Sequence, residues 1–305
     1  MEKPSDTAIS RPGLRSQSSQ TIVDSACTDT SPTEQICYEL TKPKRIEPAG
    51  GFSSQDAIPF PYWCSQSGGN IVAASRTEVC RVAGLTLTTR VTSNGVTTVT
   101  GQLYSNVYDY SFSSANFPNW QHQIGVAPYD GWGDAARASV TGSMQALGEC
   151  VTDGSGAFPT QSLAPTDAQI REGYAGVETT ITLADTKGDA YCTTLWTLTL
   201  TVPGYPASTV QTSLSETVCD NVIGSNGFRP ARVGCVIPWY PALVTYSQSR
   251  YPNLASHVSR AQASGLPGAT FAAPLNRTED PDTVDTNRKL ACGDAPSIEG
   301  MSCDE

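Results

Sequence analysis

The sequence predicts a mainly β protein with a small mixed α and β part at its C-terminal end. Only 16% of its 305 residues are charged and 38% are apolar, and Thr, Ser and Gly are abundant. This composition is typical of β-rich extracellular proteins with a real hydrophobic core. Alternating strand patterns and ten cysteines also predict a β-rich extracellular protein. We expect an antiparallel β-sandwich or barrel stapled by disulfides, followed by the small α+β part.

The clearest strand pair lies on either side of Asn94-Gly95. Apolar and polar residues alternate from Leu85 to Ser93, and a second run extends from Val96 to Val107. Asn-Gly supplies the two positive φ angles that a tight hairpin turn requires. The sequence therefore predicts a hairpin here.

Further strands follow along the chain. Residues 178–184 are predicted to form a hairpin with the strand that follows the turn Asp185–Gly188. One face of that second strand is predicted to be buried, and it holds Trp196, Leu198, Leu200 and Val202. A weaker alternating strand runs from Ala138 to Ala146. We predict a β-rich domain over residues 56–218. Residues 1–55 are rich in Ser, Thr and Pro without an apolar period, which predicts a linker or loosely ordered arm.

The cysteines favour disulfides over a metal site. They are Cys27, Cys37, Cys64, Cys80, Cys150, Cys192, Cys219, Cys235, Cys292 and Cys303. None forms a Cys-x-x-Cys pair and the chain has two histidines, so a zinc site is disfavoured. Pairing each cysteine with its sequence neighbour closes five modest loops, but the sequence leaves the connectivity open.

Disulfides require an oxidising compartment, so the cysteines predict a secreted, extracellular protein. No stretch is long and apolar enough to span a membrane. The first 14 residues also lack the apolar core of a signal peptide. We therefore expect this sequence to be a fragment of a longer chain.

An aromatic cluster surrounds His122. Trp120 precedes this histidine, and Trp132 follows in Tyr129-Asp130-Gly131-Trp132. Such a cluster can stack on a sugar or a base. The alternative is that the tryptophans cover the end of the β core.

The C-terminal part carries an ordered series of short motifs. A helix is predicted to begin at a cap on Asn253 and to end at Gly265. The motifs are His257-Val258-Ser259-Arg260, Gly265-Leu266-Pro267-Gly268, Pro274-Leu275-Asn276-Arg277, Asn287-Arg288, Ala291-Cys292 and Ser302-Cys303-Asp304-Glu305. In order and spacing this part of the chain, with Cys219-Asp220-Asn221 before it, resembles the NucA/NucB-type deoxyribonucleases in their secreted actinobacterial form.

The resemblance implies a ββα-metal nuclease domain that uses Mg²⁺ or Mn²⁺ to hydrolyse phosphodiester bonds of DNA. It implies Asp304 as the general base and Glu305 as a metal ligand or as the residue that orients the base. Arg277 and Arg288 are candidates to hold phosphate, because guanidinium groups match phosphate oxygens.

The resemblance also implies two supporting residues, and the sequence departs from the family's motif at one point. His257 and Asn287 are expected to be structural or to support the site. His257 shares a face of the predicted helix with Leu254 and Ala261, which favours a buried histidine over a ligand. In the family the Cys-Asp-Glu motif continues into Tyr-Pro-Phe-Ala, whereas this sequence stops at Glu305. We therefore expect residues 219–305 to be the N-terminal portion of the nuclease-like domain, truncated within the catalytic motif, and the chain to be weak or inactive.

Charge favours a competing interpretation. The chain has a formal net charge of −10, and residues 245–305 hold five basic and eight acidic residues. Nucleic-acid-binding proteins usually present a basic face. The alternative hypothesis is a secreted, disulfide-stapled β-rich module that binds a glycan, a cell-wall component or a protein partner.

Overall fold

The computed structural model describes residues 15–16, 25–29, 33–43, 61–154, 156–165, 170–185, 188–221, 232–276, 278 and 280–293. The chain divides into two compact units, Met1–Ala242 and Leu243–Glu305. We call the first the β unit and the second the helical unit. The described residues are mainly β, as the sequence predicts.

The described strands of the β unit form one 15-stranded sheet in which every pairing is antiparallel. The strands are β1 (Arg15–Ser16), β2 (Ser25–Asp29), β3 (Glu34–Thr41), β4 (Val72–Ala73), β5 (Glu78–Ser93), β6 (Val96–Phe112), β7 (Asn119–Gly133), β8 (Ser139–Gly148), β9 (Cys150–Thr152), β10 (Ala157–Ser162), β11 (Arg171–Thr179), β12 (Asp189–Thr201), β13 (Ser208–Ser213), β14 (Thr217–Asp220) and β15 (Gly234–Val236). Short 3-10 turns occur at Tyr62–Gln66 and Asp134–Arg137. The main path runs β1-β4-β5-β6-β7-β11-β10-β8-β12-β14-β15, with β13 on β12, β3 on β5, β2 on β3 and β9 on β11.

The sheet curls so that its inner face encloses the core. Alternate residues of each long strand point inward, because side chains of a strand alternate between its two faces. The inner side chains of Leu87, Leu103, Ile124, Phe158 and Trp196 are almost fully buried and belong to one cluster. Side chains join distant strands across this interior: Arg81 on β5 donates to Thr212 on β13.

The hairpin predicted at Asn94-Gly95 is confirmed. Ser93 pairs with Val96 across the turn. Asn94 has a φ of 53° and Gly95 a φ of 77°, so both residues have positive φ, as expected. The buried face predicted for Trp196, Leu198, Leu200 and Val202 is confirmed as well.

The second predicted hairpin is wrong. β11 pairs with β7, β9 and β10, whereas β12 pairs with β8, β13 and β14. β11 and β12 are therefore not neighbours in the sheet. Sequence-local turn signals do not reveal that each strand has a better partner far away in the chain.

The structure also differs from the expected boundaries at both ends of the β unit. In the expected arm, β2 and β3 form a hairpin, and β3 extends the sheet on β5 from Glu34 to Thr41. At the other end, β14 pairs with β12 and β15 pairs with β14. The segment around Cys219 and Cys235 is thus part of the sheet, because its strands complete an edge of that sheet.

Three of the disulfide pairs suggested by neighbour pairing are present: Cys27–Cys37, Cys64–Cys80 and Cys219–Cys235. Cys292 is also disulfide-bonded, and its expected partner Cys303 lies outside the described residues. Cys150 and Cys192 differ from the expectation, because both are buried free thiols. The disulfide bonds that are present are characteristic of proteins in oxidising compartments.

The described part of the helical unit contains two helices, α1 (Pro252–Ala263) and α2 (Pro281–Cys292). α1 begins one residue before the predicted cap Asn253, with Pro252 in its first turn. Its end is near the predicted one, and Gly265 has a φ of 90°. Asp280 caps α2 by accepting from the amide of Thr283 at 3.0 Å. Neither helix has the length and apolarity needed to cross a bilayer.

Candidate functional site

The residues expected to form the nuclease centre lie mostly beyond what the structure describes. Asp304, Glu305 and Arg277 are all outside the described residues. Their roles as general base, metal ligand and phosphate contact stay predictions. Within the described segments, no cluster of three or more His, Cys, Asp or Glu side chains is grouped as metal ligands would be.

The remaining candidates lie on the two helices. His257 is on α1 and is exposed, which differs from the burial expected of a histidine beside Leu254 and Ala261. The reason is that α1 buries none of its residues, and Leu254 itself is 38% exposed. Asn287 and Arg288 are adjacent and exposed near the end of α2. The described part of the helical unit therefore presents these three side chains to solvent.

The β unit contains a buried polar network that the sequence indicated only through His122. His122 lies on β7 and is fully buried, with Nε2 2.5 Å from Oδ1 of Asp109 and Nδ1 2.7 Å from Oγ1 of Thr194. Thr212 donates to the other Asp109 oxygen at 2.6 Å, and Arg81 donates to Thr212. This series of side-chain hydrogen bonds thus links five strands, β5, β6, β7, β12 and β13.

The electrostatics of this network favour an ionised Asp109. Burial by itself would raise the pKa of this carboxyl. The charges of His122 and Arg81 and the hydrogen bonds from His122 and Thr212 outweigh burial, so the pKa of Asp109 lies below its ordinary value. The network resembles a catalytic Asp-His-hydroxyl group in composition, but both His122 and Asp109 are buried within the sheet, so it cannot meet a substrate. Its role is to hold strands together.

A second feature lies on the outer surface of the same strands. We call Tyr104, Tyr129 and Trp132 the aromatic face. Tyr104 is directly opposite Asp130, and a bulge between β6 and β7 inserts Tyr129 beside this pair. The rings of Tyr104 and Tyr129 stack with centroids 6.4 Å apart and planes 24° apart. Trp132, one position along the same face, is 48% exposed.

Polar groups border the aromatic face. Gln102 is the cross-strand partner of Trp132 and accepts a hydrogen bond of 2.8 Å from the hydroxyl of Tyr104. Burial, the Asp130 carboxylate and Tyr104 together raise the pKa of Tyr129. The face therefore combines one exposed and two half-buried rings with an amide, a carboxylate and hydroxyl groups at the spacing of neighbouring strands.

Comparison with known proteins adds no relative. No protein-family model matches this chain. No curated protein and no solved structure matches it either.

The sequence predicted one cluster of Trp120, His122 and Trp132, whereas the structure separates them. Trp120 and His122 are buried in the core, whereas Trp132 is exposed. Tyr104 and Asp109 were missed, because their partners come from other strands whose register the sequence does not reveal. Strand periodicity alone could have placed Tyr104 and Gln102 on the outer face of the predicted hairpin.

Proposed function

We propose that this protein is a secreted, divalent-metal-dependent endonuclease that hydrolyses phosphodiester bonds of DNA, with its catalytic residues in the helical unit. The observation that carries the proposal is the ordered series of motifs from His257 to Glu305, which resembles the NucA/NucB-type deoxyribonucleases. The series falls within a compact unit of its own. The motif before Cys303 ends at Cys292, which is disulfide-bonded and terminates α2.

The donor chemistry of the motif fits a hard cation. Asp304 and Glu305 supply carboxylate oxygens, which Mg²⁺ and Mn²⁺ prefer over nitrogen or sulfur. Glu305 would hold the metal, which when bound supplies stabilisation of the negative charge that develops on the phosphate. Asp304 would accept the proton of the attacking water. Arg277 and Arg288 would hold the phosphate oxygens of the substrate.

The charge of the helical unit makes the metal important for binding as well. Residues 245–305 hold more acidic than basic residues. Electrostatic attraction for the DNA backbone is therefore weak without the cation, and affinity should depend on it.

Metal binding provides a test that does not require turnover. Titration calorimetry with Mn²⁺ should detect a site in the wild-type chain that Glu305→Gln weakens by about tenfold or more. Asp282→Asn serves as the matched control, because Asp282 is an exposed acid on α2 outside the motif. Equal Mn²⁺ affinity in the wild-type and Glu305→Gln proteins would contradict the assignment.

A second candidate function, glycan binding by the β unit, is favoured by the aromatic face. Exposed aromatic rings offer flat apolar surfaces on which sugar rings stack, and the neighbouring amide and carboxylate can bind hydroxyl groups. Retention on insoluble polysaccharides, cell-wall material included, should fall in Trp132→Ala. Tyr191→Ala is the control, because Tyr191 is 47% exposed on β12, away from this face. Unchanged retention in Trp132→Ala would reject this candidate.

A further inference from the structure

A pocket of about 230 Å³ opens on the outer surface of the β unit. It lies at the beginning of β7, whereas Trp132 lies at the other end of that strand. It is lined by Phe112, Asn119, Trp120, Gln121, Asp153, Gly176, Val177 and Glu178. These residues come from the strand ends of β6, β7 and β11 and from the residue that follows β9. The pocket is therefore built by the sheet itself.

The register of the strands explains why a depression forms here. Phe112 pairs with Gln121, and Gln121 pairs with Gly176. The backbone amide of Asp153 donates to the carbonyl of Gly176 at 3.1 Å, which continues this row onto the next strand. Side chains in such a row share one face of the sheet. Because Gly176 has no side chain, the middle of the row is a gap.

The carboxylate of Asp153 lies in that gap, at the place that a side chain on residue 176 would take. A Cβ atom placed on Gly176 would collide with the carboxylate of Asp153, so this carboxylate lies directly against the strand. The neighbouring row places Glu178 opposite Asn119. Two carboxylates, from Asp153 and Glu178, thus border a floor of backbone.

The chemistry of the lining defines a ligand class. Among the residues that the structure describes, none that lines the pocket is basic, and the whole chain carries a net charge of −10. A cationic group is complementary to this lining, and the ring of Phe112 adds a surface for a cation or for the C–H face of a sugar. The amides of Asn119 and Gln121 can donate to and accept from hydroxyl groups. The volume lies below that of pockets for drug-sized ligands, which suits one small ring.

We propose that this pocket binds a protonated amino sugar, with the ammonium group between Asp153 and Glu178 and the hydroxyl groups on Asn119 and Gln121. This inference concerns the β unit alone and does not depend on DNA cleavage by the helical unit. It also uses residues distinct from the aromatic face.

The test is to titrate the full chain with glucosamine, glucose and N-acetylglucosamine near neutral pH and to measure binding by NMR or calorimetry. We expect glucosamine to bind about tenfold or more tightly than the two neutral sugars, because a hydrogen bond between charged groups contributes more than one between neutral groups. Comparable affinity for all three sugars, or no measurable binding of glucosamine, would overturn the proposal.

Variants locate the site. Glu178→Gln should weaken glucosamine binding about tenfold or more while leaving glucose unchanged. Glu216→Gln is the matched control, because Glu216 is an exposed acid outside the pocket. Gly176→Ala should also weaken binding, since its methyl group fills the gap and displaces Asp153. Full glucosamine affinity in both Glu178→Gln and Gly176→Ala, each shown to be folded by its near-ultraviolet circular dichroism, would overturn the assignment to this pocket.

Discussion

The imidazole Nε2 of His122 lies 2.5 Å from a carboxylate oxygen of Asp109, and both side chains are buried inside the curled sheet. Around this pair, Thr194, Thr212 and Arg81 supply the remaining contacts. A buried ionic group is tolerated only when its hydrogen-bonding capacity is satisfied. The network therefore predicts large losses of stability when one member is removed.

Asp109→Ala should lower the free energy of unfolding by about 3–5 kcal/mol, because it removes the buried carboxylate that accepts from His122 and Thr212 and that offsets the charge of Arg81. Thr212→Val should cost about 1–3 kcal/mol, since the shape is kept and hydrogen bonds are lost. Urea unfolding of each variant measures these values. Asp130→Ala, at an exposed position on β7, should change the stability by less than about 0.5 kcal/mol. A cost for Asp109→Ala as small as that of Asp130→Ala would contradict the structural role.

The stability contributed by ionised Asp109 should depend on pH in one direction. Its pKa in the folded protein is below the ordinary value of 3.8. A carboxyl with a lowered folded pKa contributes stability that is fully present above its unfolded pKa and is lost as the pH falls through the folded pKa. The stability difference between wild type and Asp109→Asn should stay constant from about pH 7 to about pH 5 and shrink below about pH 4. Unfolding measured across this range checks it, and a difference that grows on acidification would refute it.

Cys150 and Cys192 should become a disulfide when the chain folds under oxidising conditions. Both thiols are buried and they influence each other: interaction with Cys192 lowers the pKa of Cys150, whereas interaction with Cys150 and burial raise the pKa of Cys192. In the oxidation, glutathione disulfide takes up the two thiol protons and two electrons and is released as two molecules of glutathione, while the two cysteines form the S–S bond. The closed loop should add about 2–4 kcal/mol of stability.

Peptide mapping without reductant measures this bond directly. The expected result is a Cys150–Cys192 linked peptide after refolding with glutathione disulfide, and its loss in Cys150→Ser. Two free thiols at these positions after oxidative refolding would disprove the prediction.

The hairpin turn at Asn94-Gly95 offers a clean test of backbone strain. Gly95 has a φ of 77° and no atom within 4 Å of a built Cβ, so Gly95→Ala changes conformational preference without a steric clash. We expect a loss of about 1 kcal/mol in the free energy of unfolding. Gly156→Ala is the control, because its Cβ would make ordinary contacts and its φ is not positive. Equal effects of the two substitutions would contradict the role of the turn.

Local signals in the sequence predicted the parts of the fold that depend on neighbouring residues. Asn94-Gly95 specified its own turn, and the alternation around Trp196 specified a buried strand face. The pairing of β11 with β7 could not be predicted this way, because it joins Glu178 to Asn119 across a long chain separation. Any site that depends on such pairing, including the pocket at Gly176, was therefore hidden.

The candidate nuclease residues, unlike the pocket, could be identified from the sequence without knowledge of strand pairing. Motif order made Asp304 and Glu305 visible in the sequence, where no packing information is needed. The exposure of His257, however, depends on what α1 packs against, and helical periodicity around Leu254 predicted burial instead. Periodicity identifies which residues share a face but not whether that face is covered.

The most direct test of the proposed function is nicking of supercoiled plasmid DNA by the 305-residue chain with added Mn²⁺. The account predicts weak nicking that disappears with a chelator and falls by about 100-fold or more in Asp304→Ala, because the general base is removed. Asp282→Asn should cut as the wild type does. Nicking that persists in the presence of the chelator, or nicking that survives Asp304→Ala, would contradict it.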